Sequence, residues 1–383
     1  MITEDELRET ARRLIDQHRG DDQTTFLDAQ FEAGLAWVHF REGEGGLGLS
    51  PKWQEIVDTE LEAAGRRYSF ARNPMGIGMV GPAIETHGTP EQLQHLRRAF
   101  TAEDLWCQMF SEPGAGSDVA TLATRAVRDG DEWIVNGQKV WTSLAHLAKY
   151  GLLLARTDPD VPKHEGITAF IIDMHAPGVD VRPLRQMSGE SHFNEVYFTD
   201  ARVPDSARVG ETGDGWRVAV TTLMNERVSI GGTTAPRGSG AIGAAVAAWK
   251  ARPEAERDPV RRDELLRLWT EAEVHRLGNM RAQQLRERGT PGPEGSVLKL
   301  GGALLSQRIA SFTVNLLGPS GMLLDYSTGE PGAVHSLVAS QASTIAGGTS
   351  EVMRNILGER ILGLPGEPRT DKGVPWSQIP KGV

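Results

Sequence analysis

The chain has 383 residues, with 51 acidic against 41 basic side chains and a net charge of −10. That length suits two or three domains, and the acidic balance excludes nucleic acid as the main partner. With 39 % hydrophobic and 24 % charged residues, a sizeable core can form and wholesale disorder is excluded. No apolar run reaches the roughly 18 residues of a membrane span, and the acidic, amphipathic stretch Met1 to Arg13 lacks the apolar region of a signal peptide. A lone cysteine, Cys107, excludes a disulfide framework and any cysteine-rich metal site. These features set the expectation of a cytoplasmic protein with no membrane span. The 44 glycines, more than one residue in ten, need a closer look.

In chain order, the first hundred residues read as helices. Glu4 to Arg19 is charged and amphipathic; Pro51 to Gly65 opens with Ser50 as N-cap and Pro51 at the first helical position; Thr89-Pro90-Glu91 opens a helix over Gln92 to Phe100 in the same way. From Trp106 to about Arg208 the pattern turns to short strands: Glu132 to Val135, Lys139 to Thr142, Tyr150 to Ala155, Ile167 to Ile172, Val179 to Val181 and Glu195 to Thr199. Asn136-Gly137, between two of these runs, predicts a hairpin turn. Helical periodicity returns at about Asp214, with candidate helices over Gly215 to Ile230, Ile242 to Lys250, Arg262 to Arg288, Ser296 to Leu317 and Ser336 to Leu362. The domains expected are therefore a helical 1–105, a β-rich 106–213 and a helical 214–365, followed by a surface tail over 366–383.

The glycines cluster. Gly43-Glu44-Gly45-Gly46-Leu47-Gly48 fits the spacing of a dinucleotide-binding turn, but Ser50-Pro51 starts the next helix after the last glycine, so an inter-helix turn is the expected reading. Ser111-Glu112-Pro113-Gly114-Ala115-Gly116-Ser117-Asp118 fixes an unusual backbone whose N–H groups and hydroxyl can meet a ring carbonyl or a phosphate with no Cβ in the way. About 25 residues on, Asn136-Gly137-Gln138-Lys139-Val140-Trp141-Thr142-Ser143 carries a large flat indole beside two hydroxyls. Taken alone, Trp141 reads as core; beside the loop, an aromatic face with hydroxyl and backbone donors suits a flavin. The ten histidines show no metal-ligand spacing and no G-x-S-x-G elbow occurs, so neither a metal site nor a hydrolase triad is expected.

Together with Gly347-Gly348-Thr349-Ser350-Glu351 and Arg354-Asn355, these segments resemble the acyl-CoA dehydrogenase family over nearly the whole chain. The resemblance implies an α+β multidomain fold: an N-terminal all-α domain, a middle β-barrel and a C-terminal four-helix bundle. It also implies FAD between barrel and bundle, and α,β-desaturation of an acyl-CoA thioester by a carboxylate base and the flavin. The family's flavin-contacting stretch falls on Gln108, Met109, Phe110, Ser111, Gly116 and Ser117, and Ser117 also matches a residue that touches CoA. Trp141, Thr142 and Ser143 match the tripeptide beside the flavin. Thr349 and Glu351 match positions reaching the adenosine half of FAD, and Gly318 begins the Gly-rich turn Gly318-Pro319-Ser320-Gly321 that approaches FAD from the neighbouring subunit.

Two departures refine this expectation. Many members carry the base just before the Gly-Thr-Ser turn, where this chain has Gly347, a substrate-facing position that cannot take a proton. A second branch carries it on the first long helix of the bundle, and Glu226 matches that base. At helical spacing Glu226 shares an apolar-to-small face with Thr222, Leu223, Ser229 and Ile230, and burial there would favour proton uptake. Arg227 matches a residue that holds CoA. The family's Arg-x-x-Phe-Gly segment, which clamps the FAD pyrophosphate, is replaced by Lys250 to Asp263, where Arg261 and Arg262 are the candidate substitutes.

That loss resembles one subunit of the α2β2 heterotetramers that act on steroid side-chain CoA thioesters, against the alternative of a homotetramer with an altered clamp. Gly231, Gly232, Pro236, Gly238, Gly240 and Gly243 predict a helix break after Glu226, which either admits a bulky, branched or polycyclic acyl group or repacks the bundle. The acceptor implied by the resemblance is an electron-transfer flavoprotein. Two alternatives stand beside this reading: a flavin monooxygenase or oxidase on the same fold, and a non-catalytic partner subunit.

Overall fold

The computed structural model describes residues 2–66, 72–230, 236–287, 294–323 and 332–380, with the backbone alone described at 226–230 and 286–287. Two compact units divide the chain. The first comprises Met1–Arg185, Ser191–Glu226 and Arg369–Val383; the second comprises Gln186–Glu190 and Arg227–Pro368.

The first unit opens with helices α1 (Glu4–Gln17), α2 (Gln23–Glu32), α3 (Gln54–Ala63), α4 (Gly81–His87), α5 (Pro90–Leu93) and α6 (His95–Phe100). Local chemistry sets their starts. Thr3 and Glu6 form a reciprocal capping box on α1, and Thr89 and Gln92 do the same on α5. Ser50 makes no cap; Pro51–Trp53 is a 3-10 turn that leads into α3. The Gly43 to Gly48 segment is the expected inter-helix turn: a Cβ at Gly46 would strike the Phe40 carbonyl, so glycine there permits close packing.

The strands are β1 (Trp106–Met109), β2 (Arg125–Asp129), β3 (Glu132–Ser143), β4 (Tyr150–Arg156), β5 (Ile167–Asp173), β6 (Val179–Leu184), β7 (Phe193–Pro204) and β8 (Arg208–Val209). They form one sheet in the order β6-β7-β3-β2-β4-β5-β8, with β1 alongside β4. Its end strands β6 and β8 are not paired to each other, so the sheet is not closed among the described residues and does not confirm the expected barrel. The Asn136-Gly137 hairpin is corrected. The turn lies at Gly130 (φ +64°), and β3 runs straight through Asn136-Gly137 with a bulge against β7. The side chain of Asn136 and the backbone N–H of Asp200 join there at 3.0 Å, and Gly137 lies so close to Thr124 that a Cβ would clash.

Strands β4 and β5 are buried on both faces, which is why they read as unbroken apolar runs. Leu152, Leu154, Ala169 and Ile171 join a core with Trp37, Phe40 and Phe100 of the helical part. Leu153, Ala155, Phe170 and Ile172 join Cys107, Met109 and Trp133. Helix α7 (Gly215–Ile230) adds Val218 and Ala219 to the first of these cores.

In the second unit, α8 (Gly240–Ala251), α9 (Pro259–Glu287) and α11 (Ala333–Ser340) pack on α10 (Glu294–Leu317), followed by α12 (Ser350–Ile356). Ile242, Leu265, Leu268, Ile309 and Phe312 form its core. Of the predicted break, residues 236–239 are non-helical before α8 starts at Gly240; Gly231 and Gly232 lie outside the described residues. The single helix expected over Ser336 to Leu362 is interrupted, because Gly347 and Gly348 take φ +66° and +91°. No helix among the described residues is long and apolar enough to cross a membrane.

Burial pushes the Asp58 carboxyl on α3 up to about 6 from 3.8, against a hydrogen bond from Gln54 Nε2 at 3.1 Å. The folded chain therefore binds this proton more tightly than the unfolded chain, and stability falls as pH rises from 3.8 to about 6. Asp58→Asn is expected to raise the thermal midpoint by about 1–3 °C at pH 8 and to leave it unchanged at pH 3.5; equal midpoints at both values would contradict this.

Candidate functional site

The first unit brings two of the motifs together. The loop Ser111 to Asp118 leaves the end of β1, and its Ser111 carbonyl accepts a hydrogen bond from Val140 N of β3 at 2.9 Å. A buried ion pair ties the two: Lys139 Nζ is 2.7 Å from Glu112 Oε1, with the side chains 0 % and 8 % exposed. Lys139 also donates to the Phe110 carbonyl at 3.1 Å, and Glu112 accepts from Ala123 N at 2.6 Å and Thr124 N at 2.9 Å.

Burial pushes Glu112 up, but Lys139 and these N–H donors outweigh it and hold the carboxyl below its ordinary 4.5. Burial pulls the Lys139 ammonium below its ordinary value while Glu112 opposes that shift. Because Glu112 titrates below 4.5 in the folded chain, its stabilisation is complete above that pH and is lost only as pH falls further.

Glu112 and Lys139 each lie within one of the two sequence motifs, and no local pattern names them as partners. The available signal was parity: Trp133 and Val135 point inward on β3, and Lys139 shares that parity. An inward lysine needs a carboxylate, and Glu112 supplies it.

Beyond Lys139 the register of β3 against β7 shifts by a bulge between Lys139 and Thr142. Val140 and Thr142 become the buried positions, and Trp141 turns outward with φ +59° and 62 % exposure. A bulky residue held at positive φ is strained, and such strain persists where the surroundings impose it. The core reading of Trp141 is thereby corrected; its only ring neighbour among the described residues is Phe193, edge-on at 6.1 Å.

The remaining first-unit candidates divide by exposure. Met109 and Phe110 are buried, each in a different core, so their side chains serve packing. Gln108 and Ser111 are half-buried, as is Ser143, while Gly116 and Ser117 are exposed. Among these candidates, Thr142 Oγ1 and Gln108 Oε1 are buried polar atoms with no partner among the described residues. An added Cβ at Gly114 or Gly116 would meet open space. Orphaned buried polar atoms call for a partner. Together with an outward indole and a Cβ-free loop, they fit a planar, hydrogen-bonding ring such as that of FAD.

Glu226 ends the first unit on α7, four residues after the fully buried Thr222; the side chains of Glu226 and Arg227 lie outside the described residues. The second unit holds the others. Gly318 follows α10 in the left-handed region at φ +61°. Gly347 opens the turn into α12, Thr349 caps that helix by accepting from Val352 N at 3.2 Å, and Glu351 lies 3.2 Å from Arg354 Nη1. Lys299 donates to the Gly348 carbonyl, a contact the sequence did not signal.

The stretch replacing the Arg-x-x-Phe-Gly segment is engaged elsewhere. Arg252 Nη1 reaches the Leu316 carbonyl at 2.6 Å and Arg261 Nη1 the Asn315 carbonyl at 2.7 Å, so both guanidiniums cap the negative end of α10. Arg262 is exposed.

Two family models match: "Acyl-CoA dehydrogenase, middle domain" over residues 107–201 and "Acyl-CoA dehydrogenase, C-terminal domain" over residues 213–362. The chain belongs to the acyl-CoA dehydrogenase family. It is 43 % identical over 324 residues to acyl-CoA dehydrogenase FadE34 of Mycobacterium tuberculosis, covering 84 % of this chain and 43 % of that protein. The chain therefore spans less than half the length of that relative. Among solved structures, it resembles a chain of the ChsE4–ChsE5 complex from Mycobacterium tuberculosis at 30 % identity and TM-score 0.74, covering 96 % of this chain and 99 % of that one. A second, the Tcur3481–Tcur3483 steroid ACAD, matches at 28 % identity and TM-score 0.74, over 95 % and 98 % of the two chains.

Lys139→Met leaves Glu112 charged and unpaired in the interior and is expected to lower the unfolding free energy by about 3–5 kcal/mol. Adding Glu112→Gln to that variant is expected to recover a measurable part, read by urea unfolding at pH 7. A single-variant loss below about 1 kcal/mol would contradict the pairing.

Proposed function

We propose that the chain is an FAD-dependent acyl-CoA dehydrogenase that desaturates an acyl-CoA thioester between its α and β carbons. The carrying observation is the buried Thr142 hydroxyl, with no partner among the described residues, beside the outward, strained Trp141. FAD, when bound, supplies the hydride acceptor that no side chain can provide. In this reading Thr142, Ser143, Gln108 and the backbone of Met109 to Ser111 orient the ring, Trp141 covers it and excludes water, and Gly116 leaves room for close approach. Thr349, Glu351 and Gly318 meet the rest of the cofactor. Ser117 and Arg227 hold CoA, Gly347 borders the acyl chain, and the Glu226 carboxylate takes the α-proton.

A steroid side-chain or similarly bulky acyl group is the proposed substrate class. The name of one solved relative and the interruption between α7 and α8 support it. An α2β2 assembly with a second acyl-CoA dehydrogenase subunit is supported by the two-protein complex among the relatives and by the exposed Leu266, Val274 and Leu277 on α9. An electron-transfer flavoprotein as acceptor and a cytoplasmic location complete the proposal.

One observation favours a second reading, that of a partner subunit without its own complete flavin site: Arg261 is engaged with α10 rather than free for a pyrophosphate. Flavin per chain and dye-linked turnover on straight, branched and steroid-bearing acyl-CoAs separate the two. Glu226→Gln is expected to lower kcat by about 10³-fold with flavin content unchanged. Undiminished turnover would remove Glu226 as base.

A further inference from the structure

The sequence places the C-terminal tail along the surface, yet the tail is docked at defined points of the first unit. Trp376 N donates to the Val161 carbonyl at 2.9 Å and Ser377 N to the Pro159 carbonyl at 2.8 Å. The Trp376 indole Nε1 donates to the Thr121 carbonyl at 3.1 Å, across 255 positions of sequence. Its ring lies 4.9 Å from the Arg156 guanidinium, a cation–π contact with a buried cation. Asp371 Oδ2 lies 2.5 Å from Lys163 Nζ, which is also 2.5 Å from Asp118 Oδ2. Lys163 is itself 5 % exposed, while the Asp371 side chain is 19 % and that of Asp118 55 % exposed, so the bridge is shielded on the tail side and open to water at the loop.

The residues reached share one location. Asp118 ends the Ser111 to Asp118 loop, and Val119–Thr121 is the 3-10 turn that follows it. Arg156, beneath the Trp376 ring, donates Nη2 to Ala120 O and Nη1 to Lys163 O, both at 2.7 Å. The loop thus has two anchors. Glu112, through Lys139, fixes its start; the contacts to Asp118, Ala120 and Thr121 fix its end. Between them lie Gly114, Gly116 and Ser117, exposed and outside any strand. Ala115, between the two glycines, is buried and exchanges two hydrogen bonds with Glu112, so the ordering of Gly116 and Ser117 beyond it depends on what fixes the distal end.

We propose that the C-terminal tail is a strap on this loop, with Trp376 and Asp371 as positioning residues that hold its distal end in the ligand-binding form. The functional part rests on the reading that the loop meets FAD and the CoA thioester; the ordering part does not. The test uses the full chain with FAD, the variants Trp376→Ala and Asp371→Asn, and a truncation after Pro368. Hydrogen exchange of peptides spanning 111–124 is measured, with peptides of α1 to α3 as a control for global unfolding.

In Trp376→Ala, exchange at Gly116 to Thr121 is expected to rise about tenfold with the control unchanged. KM for acyl-CoA is expected to rise about fivefold with kcat within about twofold, the signature of lost substrate positioning. Unchanged exchange at Gly116 to Thr121 in Trp376→Ala and Asp371→Asn would overturn the strap, whether or not the truncated chain folds. Faster exchange with an unaltered KM would overturn its role in substrate binding. A wild-type chain with no turnover on any acyl-CoA would remove the functional reading, while the exchange ratio would still decide the strap.

Discussion

The candidate site depends on one buried ion pair. Lys139 has no solvent contact, and the carboxylate that balances it belongs to the loop rather than to another strand. An ammonium removed from water needs a close counter-ion and further acceptors, and here it has Glu112 and the Phe110 carbonyl. Glu112 in turn takes the N–H groups of Ala123 and Thr124. One pair therefore joins three segments: the end of β1, the entry to β2 and the middle of β3. The glycine-rich loop is held at its start by an interaction that leaves its backbone free to face a ligand.

The same strand then changes what it presents. Regular alternation beyond Lys139 would bury Trp141 and expose Thr142; the bulge exchanges them. The result is an indole at the surface with a strained backbone, next to a buried hydroxyl with no partner among the described residues. In the proposed function the flavin ring supplies the partner that this hydroxyl lacks. In the second unit the Arg252 and Arg261 contacts to the end of α10 set the start of the Gly318 turn, so the segment that lacks Phe-Gly has a structural use of its own.

Much of this was legible in the sequence, and the misses have physical causes. Capping chemistry at Thr89-Pro90 and the end of α10 at Gly318 follow from local rules, and the structure agrees. The runs Tyr150 to Ala155 and Ile167 to Ile172 located β4 and β5, the strands buried on both faces. Asn136-Gly137 misled because the same dipeptide serves a tight turn or a bulge, and only pairing with β7 decides between them. Sheet closure was taken from resemblance, and no local pattern encodes it. At Gly347 and Gly348 the motif marks a turn while helical periodicity runs on across it, and the positive φ of both glycines decides for the turn. The Lys139–Glu112 pair and the docking of Trp376 on Arg156 are contacts between distant segments, and residue spacing alone does not reveal their partners.

The central claim is that the junction of the Ser111 to Asp118 loop with β3 holds a flavin against Trp141. Its most direct test is the fluorescence of FAD bound to the chain, alone and with a partner subunit, in the wild type and in Trp141→Leu at matched occupancy. The account predicts bound flavin whose emission is quenched by the nearby indole and rises in the variant. Bound flavin with the same emission in both proteins, or no flavin bound in either preparation, would contradict it.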